Sequence, residues 1–319
     1  MVDFRYHLVS IIAVFLALAV GIVVGTAALN GPIQDGLNRS ISNLTNDKRA
    51  LENDVEQLRG QVAASDEFAT RIAPELLEGA LEEQRVLLVT TEGTPGDLAE
   101  RLRPLLADAG ASVTGTLEVR PALGEPEQRQ LLEDLVAQVV PAGVRLPQGE
   151  PVLRAAAELA AALTVGPGAE AVDPGEAQAV VAAFEEADLV EFEPAPGAED
   201  AIVPASTVLV LTPAGPNAQP STVQRQQLEA MVTLAGAFDD RSRGTVVAGP
   251  ATSALPGGLV DALRATSNVA SDVSTVDNAD RGIGQVAAVL ALAQQVRDGV
   301  GQYGAGPGAS APLPAAAAS

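Results

Sequence analysis

Residues 8–29 read LVSIIAVFLALAVGIVVGTAAL, 22 residues without a charge. No other feature limits the fold so strongly, because such a run has either to be buried on every side or to sit in lipid. At roughly 1.5 Å per residue, a helix of this length is about 33 Å long and crosses a hydrocarbon core of about 30 Å. A cleaved signal peptide is the competing reading, with Gly25 and Ala27 as small residues for a cleavage site. Against it, the run exceeds an apolar signal core of about 7–15 residues, and Arg5 is the one basic side chain ahead of it. An uncleaved single span over 8–29 is therefore expected, with residues 1–7 as a cytoplasmic tip. Charge does not decide the orientation, since Arg5 precedes the span while Arg39, Lys48 and Arg49 follow it. The lack of cysteine suits an oxidising compartment. The expectation is an N-terminus inside the cell membrane and the bulk of the chain outside it, in the cell envelope.

Within the span, Ala13, Ala17, Gly21 and Gly25 recur every four residues and form a ridge that lets two helix backbones approach closely. A break is expected at Gly31-Pro32. A heptad pattern follows, with Leu37, Leu44, Leu51, Leu58, Ser65 and Ile72 at d, and Ile41, Lys48, Val55, Val62, Ala69 and Leu76 at a. β-Branched residues at a with Leu at d favour a parallel two-stranded coil, and a charged Lys48 at a costs stability while fixing register. Residues 33–78 are thus expected to form a coiled-coil stalk. The oligomerisation seam is Gly21, Gly25, Leu37, Ile41, Leu44, Lys48, Leu51, Val55, Leu58 and Val62, giving a homodimer or higher homo-oligomer. A monomeric amphipathic helix folded back on the soluble part is the alternative. Gly60 weakens the helix locally, and Pro74 is expected to kink or end it.

From Val86 the period changes. Apolar runs at 86–90, 112–119, 207–213, 244–250 and 269–276 alternate with helical patterns at 97–109, 221–238, 258–266 and 281–298. This alternation predicts an α/β domain over 85–300 with a Rossmann-like, mostly parallel sheet. Residues 121–205 hold ten prolines and three helical stretches near 126–139, 151–164 and 174–188. They read as a helical, partly loose insert. The Gly/Ala/Pro-rich tail 301–319 reads as disordered.

Composition excludes much chemistry. With one histidine and no cysteine, a Ser-His-Asp triad, thiolate catalysis and Cys-ligated metal are not available. A formal charge of −22 argues against nucleic acid as a partner. Acid/base catalysis would rest on carboxylates alone, so no catalytic residue is assigned and the chain is read as a non-enzyme. Two strand–helix turns, 90–97 and 248–258, are checked for a ligand. The first lacks a phosphate-binding glycine pattern and carries Glu92 and Asp97, with Asp97 expected as a helix cap. The second is lined by small residues. Asp239, Asp240, Asp277 and Asp280 are a weak candidate for a hard cation, although Asp280 is also expected to cap the last helix. His7 is a weak metal candidate beside Tyr6 at the membrane interface. It lacks company, because Met1 and Met231 are the only methionines. No cofactor is identified.

The opening Phe4-Arg5-Tyr6-His7-Leu8-Val9-Ser10, the run IIAVFLALAVGIVVG (11–25), the coil that follows and STVDNADRGIGQVAAVLAL (274–292) together resemble the actinobacterial MctB family. The resemblance runs from residue 1 to about residue 299. It implies a copper transport or efflux protein of the cell envelope. It also implies a rival reading, a dimeric membrane-anchored scaffold that controls cell-wall hydrolases at division, with an envelope protein as partner and no copper chemistry of its own. Copper enters through this resemblance alone, since no Cys, His or Met cluster carries it over.

Overall fold

A computed structural model describes residues 4–198, 201–216 and 219–315, with the backbone alone at 27–36. Met1 and the end of the tail, 316–319, lie outside the described residues. The chain divides into two compact units, Met1–Ala64 and Ser65–Ser319.

One helix, α1, spans Phe4–Leu77. The break expected at Gly31-Pro32 does not occur, and Pro74 does not end the helix before Leu77. A proline deletes one ladder hydrogen bond at a cost of about 3 kcal/mol. Around Pro74 the flanking Arg71, Ala73, Glu75, Leu76 and Leu77 are good helix formers and favour carrying the helix through it. In the first unit, Phe4–Thr26 is long and apolar enough to cross a membrane, with a mean hydropathy of 2.9 and nothing packed on it.

The second unit is built on a seven-stranded sheet in the order β3-β2-β1-β4-β5-β6-β7. The strands are β1 (Arg85–Thr91), β2 (Ser112–Val119), β3 (Val190–Pro194), β4 (Thr207–Leu211), β5 (Thr245–Ala248), β6 (Ser274–Val276) and β7 (Gln302–Tyr303). All neighbours run parallel except β2 with β3. The helices are α2 (Gly96–Asp108), α3 (Arg129–Gln138), α4 (Pro151–Leu163), α5 (Pro174–Glu186), α6 (Thr222–Asp240), α7 (Leu259–Ala265), α8 (Ser267–Ala270) and α9 (Gly282–Gln295).

The apolar runs explain the layering. In β1, Leu87 and Val89 join a core with α3 to α7, while Val86 and Leu88 join a second core with α2, α9 and the end of α1. A strand buried on both faces has no polar face to alternate with, so VLLV reads as a continuous run. The end of α1 packs by Ala69, Ala73 and Leu77, which are all buried.

Three expectations change here. The insert is not loose, because α4 buries Ala155, Ala156 and Leu159 in the first core. The insert also adds the edge strand β3, where Val190 is buried and Glu191 and Glu193 face solvent, an alternation of period two. The run expected as a strand over 269–276 begins with α8 and keeps only Ser274–Val276 in the sheet.

The tail from Gly301 is the clearest correction. Its backbone pairs β7 with β6, and Ala311 bridges to Tyr303. Its glycines permit close approach: a Cβ at Gly304, whose φ is +123°, would meet Asp277 Oδ1 at 2.1 Å. Composition alone reads such a segment as unstructured; here its backbone amides and carbonyls and the buried Tyr303 bind it.

Candidate functional site

The structure places every seam residue on α1. Leu37, Ile41, Leu44, Leu51, Val55 and Leu58 are exposed, with Leu44 at 71% and Leu51 at 64%. Lys48 pairs within its own helix, Nζ lying 3.3 Å from Glu52 Oε1. Val62 is half-buried, and the Cβ position at both Gly21 and Gly25 opens on empty space. His7 is exposed on the same helix. Among the described residues no group of three His, Cys, Asp or Glu is disposed to hold a metal.

The four aspartates singled out as a cation candidate do not gather. Asp277 is fully buried and faces Arg264, whose Nη1 lies 2.8 Å from its Oδ2. Asp277 Oδ1 accepts from the amides of Ala305 at 2.8 Å and Gly306 at 2.9 Å. Its charge is therefore compensated by a cation and two amides inside the fold, in a fully buried place. Asp280 pairs with Arg281 at 3.5 Å and does not cap α9. Asp66 does that work instead, accepting from the amide of Gly282 at 2.9 Å, a long-range cap with no local sequence signal. Asp97 lies inside the first turn of α2 and pairs with Arg101, while Pro95 holds the cap position.

Asp239 and Asp240 end α6. Asp239 Oδ1 accepts from the Thr245 amide at 2.9 Å. Burial, with the negative charges of Asp272 and Asp240 beside it, pushes Asp239 up to about 7. Burial and Asp272 raise Asp240 as well. A third raised acid lies on α4. Glu158 on α4 is fully buried and neither carboxylate oxygen has a hydrogen-bond partner among the described residues. Burial pushes it up to about 7, with Arg154 drawing it partly back. A glutamate in an Ala/Leu-rich helix reads as a surface residue, and nothing nearby in sequence marks it as buried.

The head does contain a crevice. The strand order reverses at β1, with β2 on one side and β4 on the other, and ligands on open α/β sheets bind beyond the carboxyl ends of the strands at such a point. A cavity of about 290 Å³ lies there. The turn after β1 brings Thr91 and Glu92, and the turn before α7 brings Gly257 and Gly258, so both turns checked in the sequence reach it. The turn after β4 (212–216), α6 (Gln227, Leu228, Met231), and Arg120 and Leu123 after β2 also form the wall. These residues carry no motif and are brought together only by the sheet order.

A family model described as "Copper transport outer membrane protein, MctB" matches residues 1–314. The chain is similar to the protein named Copper transporter MctB of Mycobacterium tuberculosis (strain ATCC 25618 / H37Rv), at 29% identity over 318 residues, covering 97% of this chain and 98% of that protein. It is likewise similar to Copper transporter MctB of Mycobacterium leprae (strain TN), at 27% identity over 326 residues, with 97% and 98% covered.

Proposed function

We propose, because this chain belongs to the MctB family, that it is a membrane-anchored copper-homeostasis protein of the cell envelope and acts in copper transport or efflux. One observation carries the reading: the family match runs through residues 1–314, taking in the apolar helix, the heptad segment and the head together. Copper is cargo in this reading, not a resident cofactor. The described residues offer no cluster of soft ligands for tight capture, and an excess of 41 acidic over 19 basic residues supplies a diffuse field that concentrates cations weakly. The chain is not an enzyme in this account.

A single helix per chain forms a path across lipid only by assembling with others. The exposed a and d side chains from Leu37 to Leu58, with the half-buried Val62, supply the assembly surface, and a parallel homodimer buries them against a second copy. The small ridge through Gly21 and Gly25 continues that contact inside the membrane. Such a coil is the stalk, residues 33–78, between the span at 8–29 and a Rossmann-like head. The N-terminus then lies inside and the acidic head outside. The head is not itself a membrane barrel, since its sheet is mostly parallel and covered by helices on both faces.

The test is cellular copper content. A copper-challenged host expressing the full chain should hold less copper than the same host expressing the Leu44→Pro/Leu51→Pro double variant at equal membrane abundance. Equal copper in the two would overturn the reading.

A further inference from the structure

We propose that the crevice between β1 and β4 binds a small, uncharged ligand with an apolar body and one amide, carbonyl or hydroxyl group. This goes beyond the copper reading and does not depend on it. The position is where open parallel sheets receive ligands, and the volume of about 290 Å³ matches the small end of ligand pockets.

The chemistry of the wall selects the class. A phosphate-bearing ligand needs unspent backbone donors and positive charge. Here Pro121, Pro213 and Pro216 line the cavity without N–H groups. The Thr91 amide is taken by Thr94 Oγ1 at 3.2 Å and the Gly258 amide by the Leu255 carbonyl at 2.9 Å. Arg120 is the one cation of the wall, and the carboxylates of Glu118, Asp188 and Glu191 already surround its guanidinium. Glu92 adds a negative charge at the rim. The paired state of Arg120 and the charge of Glu92 therefore disfavour an anion at a place where other sheets of this topology take nucleotides. Leu123, Leu228 and Met231 offer an apolar floor. Gln224 uses its Oε1 to cap α6, accepting from the Ser221 amide at 2.9 Å. The Gln227 side chain has no hydrogen-bond partner among the described residues and supplies a neutral polar contact.

Benzophenone is a suitable probe: uncharged, apolar, with one carbonyl and about 14 non-hydrogen atoms, a size that such a pocket admits. The full chain in lipid discs is photolabelled and digested with trypsin. The peptide 226–241 reports the cavity, 130–145 reports the head surface and 6–39 reports lipid. The expected result is labelling of 226–241 about tenfold above 130–145, displaced by acetanilide and not by ADP. Leu228→Trp, which fills the cavity and introduces the chain's first tryptophan, should abolish that labelling and give blue-shifted emission, with labelling of 6–39 unchanged. Gln227→Leu, which keeps the wall and removes the amide, should lower it about three- to tenfold; this variant carries the test if Leu228→Trp fails to fold. Labelling of 226–241 no stronger than 130–145, displacement by ADP, or full labelling in both variants would overturn the proposal.

Discussion

Arg264 and Asp277 form a buried ion pair that fastens the last strand to the sheet. The guanidinium donates to the Asp277 carboxylate and, from Nη2 at 2.8 Å and Nη1 at 2.7 Å, to the carbonyls of Tyr303 and Pro307. The same carboxylate receives the amides of Ala305 and Gly306. Removing one partner leaves the other charge buried without compensation, which costs about 3–5 kcal/mol. Asp277→Ala should therefore lower the thermal midpoint of the head and expose residues 301–315 to protease, as read by limited proteolysis. Conversely, a tail as resistant as wild type would show that its packing does not rest on this pair.

Glu158 sets a pH dependence of opposite sign to that of a salt-bridged carboxylate. Its folded pKa is raised from 4.5 to about 7. An acid that binds its proton more tightly when folded stabilises the fold below the unfolded pKa, and that contribution is lost as pH rises from about 4.5 to about 7. At roughly 1.4 kcal/mol per unit, it amounts to a few kcal/mol at most. Asp239 acts in the same direction. Thermal melts at pH 5 and pH 8 should show lower stability at pH 8, and Glu158→Gln should narrow the difference. An unchanged difference would place the effect elsewhere.

Gly284 sits in the first turn of α9, in the DRGIGQ segment (280–285). A Cβ there would meet the Asn278 carbonyl oxygen at 1.9 Å, and a backbone atom gives way only by moving the turn. Gly284→Ala should destabilise the head by about 1–3 kcal/mol through overpacking, although alanine is the better helix former. Denaturant unfolding decides it; a neutral or stabilising outcome would mean the turn relaxes freely.

The seam on α1 is testable because the chain has no cysteine of its own. Single cysteines at Leu44 or Leu51, both d positions, should form disulfide-linked dimers in membranes. A cysteine at Asp47, a g position, should cross-link less. Equal cross-linking at all three, or none, would contradict a parallel two-stranded coil.

How much of this was legible in the sequence follows from how local each signal is. The apolar run and the parallel strands β1, β2 and β4 announce themselves in consecutive residues, because burial on one or both faces leaves a pattern within a few positions. The long-range features do not. Asp66 caps α9 from 216 residues away. Asp277, one of four aspartates that the sequence offers as a weak cation candidate, anchors a tail that composition reads as disordered. Gln227, Leu228 and Met231 carry no motif, and only the reversal of strand order at β1 brings them to a crevice. Proline marked breaks in α1 that the helix does not take, since the loss at one position is small beside the length that flanks it.

In the proposed function this chain takes part in copper transport as an assembled membrane anchor. The most direct measurement is copper flux into liposomes holding the purified full chain, with the Leu44→Pro/Leu51→Pro double variant at equal density as the comparison. The account predicts flux well above that of empty vesicles, and loss of it in the double variant whose head remains folded. Flux no greater than that of empty vesicles, together with no binding of Cu(I) or Cu(II) by the full chain, would contradict it.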